Sequence, residues 1–161
     1  MKIIPPASIK HLAWKSELVS YNGLFHGKTL EGSDFSAMVD LEQSLGITIK
    51  NRVTVDANDI GFVEERGKVI SLVLINQDLS RLPPSVANLS SLRRLWAGYN
   101  EIKAVPAEIG NLRSLISLNL QNNPLISLPR SIGNLQSLRS FNASSCELVQ
   151  LPEELGPTTT R

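Results

Sequence analysis

The 161-residue sequence lacks several features that would assign it to particular classes of protein. It has one cysteine, Cys146, which excludes an internal disulfide and is typical of a reducing compartment. It has no apolar run of the length that a secretion signal or a membrane span needs, and Pro5 and Pro6 interrupt the apolar residues near the amino terminus. We therefore expect a cytoplasmic protein with no membrane partner.

Charge of one sign is not concentrated in any part of the chain. Sixteen Lys and Arg residues are interspersed with fifteen Asp and Glu residues, which leaves a net charge of +1. Binding a phosphate backbone requires a basic stripe, so we do not expect nucleic acid as a partner. The length and the 42% of hydrophobic residues are those of an ordinary single globular domain.

Motifs of enzymes are also missing. The sequence contains no metal-ligand spacing, no dinucleotide fingerprint and no serine elbow. The stretch GLFHGKT, Gly23 to Thr29, has fewer residues between its glycines than a phosphate-binding P-loop, so we interpret it as a plain loop. The sequence predicts no catalytic residue, no metal ligand and no cofactor, and therefore a protein that is not an enzyme.

The second half of the chain repeats with a fixed period of 23 residues. A proline recurs at Pro83, Pro106, Pro129 and Pro152. Apolar columns recur with it: Val69, Leu92, Leu115 and Leu138; Leu72, Leu95, Leu118 and Phe141; Leu74, Ala97, Leu120 and Ala143. A period of this length is typical of a solenoid, in which each unit buries its apolar face against the next.

The blocks SLRRLWAGYNEIKAVPAEIGNL and SLISLNLQNNPLISLPRSIGNL resemble the leucine-rich repeat, with the LPxxIGNL ending of the plant intracellular Ras-group and similar prokaryotic repeats. The resemblance covers about residues 67–157. It predicts repeats at 67–89, 90–112, 113–135 and 136–157, with a tail at 158–161. It implies an α/β solenoid, a right-handed superhelix with a parallel β-sheet on the concave face and irregular, 3-10 or short helical segments on the convex side.

Residues 33–66 are expected to cap the first repeat, because the end of a solenoid would otherwise expose its core. The stretch SDFSAMVDLEQSLG predicts a helix with Ser33 or Asp34 as N-cap and Gly46 as stop. ANDIGFVEERGKVISLVL predicts two short strands around a turn at Glu64 to Gly67. Residues 1–32 form an extension that is either a helix ending at Asn22-Gly23, which we favour, or a hairpin that turns there.

The single cysteine belongs to a column of the repeat. That column reads Gln77, Asn100, Asn123 and Cys146. The leucine-rich repeat carries Asn here and tolerates Cys, so the resemblance implies a ladder of inward side chains that bond backbone groups. Gln77 departs from that pattern. A thiol enzyme would need a base beside Cys146 and is the least favoured alternative.

The outward positions of the predicted strands form the concave face, on which we expect a protein partner to bind, as to a scaffold or signalling adaptor. Trp96 beside Arg94 and Tyr99 has the composition of an interface hot spot. The predicted partner-binding residues are Val73, Ile75, Arg94, Trp96, Tyr99, Asn119, Gln121, Asn122 and Asn142. Alternatively, Trp96 folds flat over neighbouring strands or is covered by residues 1–32. A further alternative is a structural homodimer that associates through the C-terminal end, where the sequence offers nothing to cover the last repeat.

Overall fold

A computed structural model of the chain describes residues 23–52 and 60–155. The strands and the helix are β1 Gly23–Phe25, β2 Lys28–Leu30, α1 Gly32–Leu45, β3 Gly61–Glu65, β4 Lys68–Val73, β5 Arg94–Trp96, β6 Ser117–Asn119 and β7 Ser140–Asn142. One 3-10 helix follows each of the strands β4 to β7, at Pro84–Asn88, Ala107–Asn111, Arg130–Asn134 and Glu153–Leu155.

Strands β3 to β7 form one sheet in chain order, and β4 to β7 are parallel. The pairing follows the period of the sequence, so that Leu72 lies beside Leu95, Leu95 beside Leu118 and Leu118 beside Phe141. These side chains face inward and are buried, as alternation along a strand requires. The predicted solenoid with a parallel sheet is confirmed.

The recurring proline starts the convex side of each repeat. Pro83, Pro106 and Pro129 are the N-cap residues of the first three 3-10 helices, with φ near the value that the proline ring fixes. Adjacent 3-10 helices approach closely at Gly110, where an added Cβ would lie 2.5 Å from the carbonyl oxygen of Ser131. Only glycine fits this contact without moving the backbone.

The described part of the N-terminal extension is a β-hairpin. β1 and β2 are antiparallel and turn at His26 and Gly27, with φ values of 44° and 85°. Both angles are positive, as in the two-residue turns that match the twist of paired strands. The GLFHGKT stretch is therefore a hairpin and not the plain loop that we expected. The favoured helix ending at Asn22-Gly23 falls on residues 1–22, outside the described residues.

Helix α1 begins one residue before the predicted N-cap Ser33. Its N-cap is Glu31, so the prediction of Ser33 or Asp34 was wrong. The Asp34 carboxylate is fully buried and accepts a hydrogen bond from the backbone N–H of Val69 at 2.8 Å, instead of capping its own helix. The helix ends where predicted, at Gly46 in the left-handed conformation, with its N–H donated to the Glu42 carbonyl.

The start of helix α1 is tied to the start of strand β4. The Nζ of Lys68 lies 2.6 Å from Oε2 of Glu31 and 3.5 Å from Oδ1 of Asp34. The hydrogen bond with Glu31 is the main reason why the pKa of Lys68 is raised above its usual value. The N–H of Glu31 also donates to the Gly67 carbonyl, in the two-residue turn between β3 and β4. The helix is thus held against the first repeat by charge and by backbone bonds.

One apolar core runs from the hairpin to the last repeat, from Phe25 to Phe141. At its N-terminal end the ring of Phe25 packs edge-on against the rings of Phe35 and Phe62. The hairpin, the helix and the repeats therefore share their buried surface. Within residues 23–52 and 60–155, no helix is both long enough and apolar enough to cross a membrane.

Candidate protein-binding surface

The column that contains Cys146 forms an inward hydrogen-bonded ladder, and its fullest member is Asn100. The Oδ1 of Asn100 accepts the backbone N–H groups of Gln77 at 2.8 Å and Leu79 at 3.2 Å. Its Nδ2 donates to the carbonyls of Leu74, Ala97 and Gly98. Asn100 is 6% exposed, so this single side chain pairs backbone groups that water cannot reach.

The ladder weakens toward the C-terminal end. Asn123 repeats all but one of the bonds of Asn100: its Oδ1 accepts only the N–H of Ile102, and its Nδ2 donates to the Ala97 carbonyl. The thiol of Cys146 donates to the Leu120 carbonyl at 3.3 Å. Leu120 has the same position relative to Cys146 as Ala97 has relative to Asn123. Sulfur supplies no strong acceptor here, and the N–H of Leu125 bonds instead to the carbonyl of Asn123. Cys146 is half-buried and acts within the ladder.

Gln77 does not act as a ladder residue. Its Nε2 donates to the carbonyls of Ile75 and Asn76 in its own loop, at 3.0 and 2.5 Å. In the next two repeats, the Asn side chain at this position bonds to the preceding repeat. The first repeat is preceded in the sheet by strand β3 of the cap and not by another repeat. The longer glutamine side chain therefore folds back locally. The ladder proper consists of Asn100, Asn123 and Cys146.

A column just beyond the strands has left-handed backbone conformation in every repeat. Its members are Asn76, Tyr99, Asn122 and Ser145, with φ between 53° and 56°. Asn tolerates this conformation, whereas a bulky side chain is an outlier there. Tyr99 nevertheless occupies the position, and its side chain is 50% exposed. The packing of the core does not account for a tyrosine at this site.

Trp96 is half-buried on the outward face of β5. The guanidinium carbon of Arg94 lies 5.2 Å from the centre of the indole ring, within the range of a cation–π contact. The indole N–H donates to the hydroxyl of Ser117 at 3.3 Å, on the neighbouring strand β6. The ring thus reaches over that strand, as one of our alternatives supposed, while Arg94 above it is exposed to solvent.

The outward amides of β6 and β7 are linked to one another. Asn119 Oδ1 accepts the N–H of Gln121 at 3.0 Å, and Asn142 Oδ1 accepts the N–H of Ser144 at 2.9 Å. Gln121 Oε1 accepts a hydrogen bond from Asn142 Nδ2 at 2.8 Å. The three amide groups are half-buried and held in fixed orientations. Asn122 stands beside them in the left-handed column, also half-buried.

Val73 is not available to a partner, and its assignment as a binding residue is corrected. The side chain is fully buried. Strand β3 pairs with β4 and places Gly61 directly opposite Val73, with the same face outward. An added Cβ on Gly61 would lie 2.6 Å from Cγ of Arg52, so the segment at 50–52 packs over this part of the face. The open concave surface begins at β5.

Ile75 lies at the edge of that segment and lines a cavity of about 380 Å³. The cavity lies between the cap and the first repeat. Its lining residues are Thr48, Lys50, Arg52, Ile60, Ile75, Asn76 and Gln77. The cavity therefore adjoins Asn76 of the left-handed column, and Asn76 is one strand away from Tyr99.

Comparison with known proteins agrees with this geometry. The family model described as Leucine Rich Repeat matches residues 114–135, within the third repeat. The chain is similar in fold to the LRR ectodomain of the receptor kinase SOBIR1 from Arabidopsis thaliana, with a TM-score of 0.56 and 24% identity over 76% of this chain and 70% of that one. The chain contains leucine-rich repeats.

Two further structures extend the comparison. The leucine-rich repeat domain of the type III effector XopL matches 91% of this chain and 44% of its own, at 23% identity and a TM-score of 0.51. An LRR protein of Leptospira interrogans is 40% identical over 48% of this chain, with a TM-score of 0.48. The chain spans about a fifth of the length of that protein. No curated protein sequence matches the chain.

Two features of the repeat surface were missed at the level of sequence. The left-handed column was predictable in principle, because Asn recurs there at the period of the repeat. The bonds among the outward amides depend on rotamers, which no sequence pattern specifies. No group of three His, Cys, Asp or Glu side chains that could hold a metal lies within residues 23–52 and 60–155.

Proposed function

We propose that this leucine-rich repeat protein is a non-enzymatic binding module, and that its concave face between β5 and β7 contacts a protein partner. The leucine-rich repeat commonly mediates protein–protein interaction, which supports the general role. The position of the contact is our inference from the residues of the surface.

The observation that carries the proposal is Tyr99. A non-glycine residue in a sparsely populated backbone region costs on the order of 1–3 kcal/mol and tends to be kept where it serves a function. Tyr99 adopts this conformation at a position where two other repeats have Asn, and half of its side chain faces solvent. Aromatic residues and Arg dominate the binding energy of interfaces, and Arg94 and Trp96 lie on the adjoining strand.

The test is affinity capture of protein partners by the whole chain, compared with capture by the Trp96→Ala and Tyr99→Asn variants. We expect both variants to lose the captured partner. Ile126→Ala is the control, because Ile126 is 56% exposed but lies outside the outward columns. Tyr99→Asn should also raise the urea midpoint, since Asn fits the left-handed conformation better. Partners captured equally by all variants would refute the proposal.

A second candidate is self-association through the C-terminal end. Val149 is 82% exposed and Leu151 is 48% exposed, and β7 is the last strand of the described sheet. An exposed strand edge with apolar neighbours is a site for pairing with a second copy. We expect Val149→Glu to lower a dimeric mass in light scattering, and Trp96→Ala to leave it unchanged. A mass of one chain at every concentration would remove this candidate.

A further inference from the structure

The outward face between β5 and β7 has an unusual balance of hydrogen-bonding groups. None of its columns contains Asp or Glu in any repeat. Arg94 has no carboxylate partner among residues 23–52 and 60–155, and its one described contact is the ring of Trp96. The face therefore carries a positive charge that nothing in the described part of the chain neutralises.

The neutral groups of the face add to this imbalance. The side-chain oxygens of Asn119, Gln121 and Asn142 each accept a hydrogen bond from within the protein. The NH₂ groups of Asn119 and Gln121, by contrast, have no acceptor in the described residues. What this face offers a ligand is a set of N–H donors beside a guanidinium.

The cavity next to the face also has a basic side chain at its rim. Among residues 23–52 and 60–155, Lys50 is exposed at its rim without an ion-pair partner, and none of the lining residues is acidic. The strands are about 4.8 Å apart, so the width of the face from β5 to β7 is roughly 10 Å, the length of about three extended residues. Charge and shape thus favour one short extended segment that is rich in acceptors.

We propose that the concave face binds an extended acidic segment of a protein partner, with an Asp or Glu carboxylate on Arg94 and main-chain carbonyls on the NH₂ groups of Asn119 and Gln121. This inference rests on the proposed function and specifies the chemistry of the partner. Arg94 is suited to the task because its guanidinium lies over the ring of Trp96 and has no hydrogen-bond partner in the described residues, so its N–H groups can make two parallel bonds to a carboxylate.

The test selects short random peptides from a displayed library against the immobilised whole chain. We expect the selected peptides to share an Asp or Glu, and synthetic peptides with Asn or Gln in its place to bind roughly ten- to a hundredfold more weakly. Arg94→Glu should abolish binding, and a peptide with Lys at the acidic position should restore it. Arg113→Glu, an exposed arginine outside the outward columns, is the matched control and should bind as the unaltered chain does.

Gln121→Glu tests the neutral donors separately. The substitution keeps an oxygen for the Nδ2 of Asn142 but replaces the free NH₂ group by a charged acceptor, so it should weaken the acidic peptide about tenfold or more. An unchanged affinity would overturn the role of Gln121, while urea unfolding checks that the fold is retained.

The outcomes separate this inference from the proposed function. Peptides that require Trp96 and Tyr99 but show no preference for Asp or Glu would overturn the acidic partner and leave the binding face in place. Peptides that bind equally to Trp96→Ala, Tyr99→Asn and Arg94→Glu would overturn both. A single-stranded oligonucleotide that binds with the same dependence on Arg94, or a library that yields no binder, would also overturn the acidic segment.

Discussion

Replacing Asn100 by Leu removes the polar groups of the ladder while keeping the number and branching of the side-chain heavy atoms. The N–H of Leu79 is buried and would lose its acceptor, and the partly buried N–H of Gln77 would lose one too. A buried group without a partner costs about 1–3 kcal/mol, and a partly buried one costs less. We therefore expect the free energy of unfolding to fall by about 2–4 kcal/mol, a large part of the 5–15 kcal/mol typical of a domain.

The assay is urea unfolding followed by far-UV circular dichroism, with Cys146→Ala as the comparison. Cys146 makes one sulfur hydrogen bond at 3.3 Å at the half-buried end of the array, so its replacement should cost only about 1 kcal/mol. If Asn100→Leu proved no more destabilising than Cys146→Ala, the ladder would not be a source of stability and the reasoning would be refuted.

Three further predictions concern the core, the thiol and the cap. Leu118→Ala should destabilise by about 2–5 kcal/mol, and Phe141→Ala by less, because the last repeat can relax into the space; thermal melts in the opposite order would contradict this. Cys146 should react more slowly with a thiol reagent in the folded than in the urea-unfolded protein, and equal rates would exclude a ladder role. Because the pKa of Lys68 is raised, its ion pairs stabilise the fold below the usual lysine pKa of 10.5 and are lost as pH rises through the raised value. Lys68→Met should remove that alkaline loss, and Lys103→Met, at an exposed position, should not.

The repeats could be predicted from the sequence in far more detail than the cap. In the repeats, four copies of one pattern place Leu72, Leu95, Leu118 and Phe141 in a single register, and the structure has the same pairing. The cap occurs only once in the sequence, so no repeated pattern supports its local turn and N-cap signals. Asn22-Gly23 was the stronger turn signal, yet the described hairpin turns at His26-Gly27, and Asp34 bonds to a strand 35 residues away.

The binding surface, too, was predictable where it depends on the repeats alone and not where the cap packs against them. Arg94, Trp96 and Asn119 were placed on the outward face by alternation alone, and the strand pairing agrees. Val73 obeys the same alternation but is buried, because β3 and the segment at 50–52 pack against its side of the sheet. Such a contact comes from a part of the chain outside the repeats, and periodicity contains no information about it. The role of the predicted residues in binding stays a prediction.

The backward direction of the ladder bonds affects how the molecule could change in length. Asn100, Asn123 and Cys146 each donate to a carbonyl 26 residues earlier, so each of these bonds ties a unit to the one before it. A duplicated copy of residues 113–135, inserted in frame, would bring its own asparagine and would present the same columns of the repeat to the units on either side. The gene could thus lengthen by whole units that keep the ladder bonds, and each insertion would add one strand's width to the concave face.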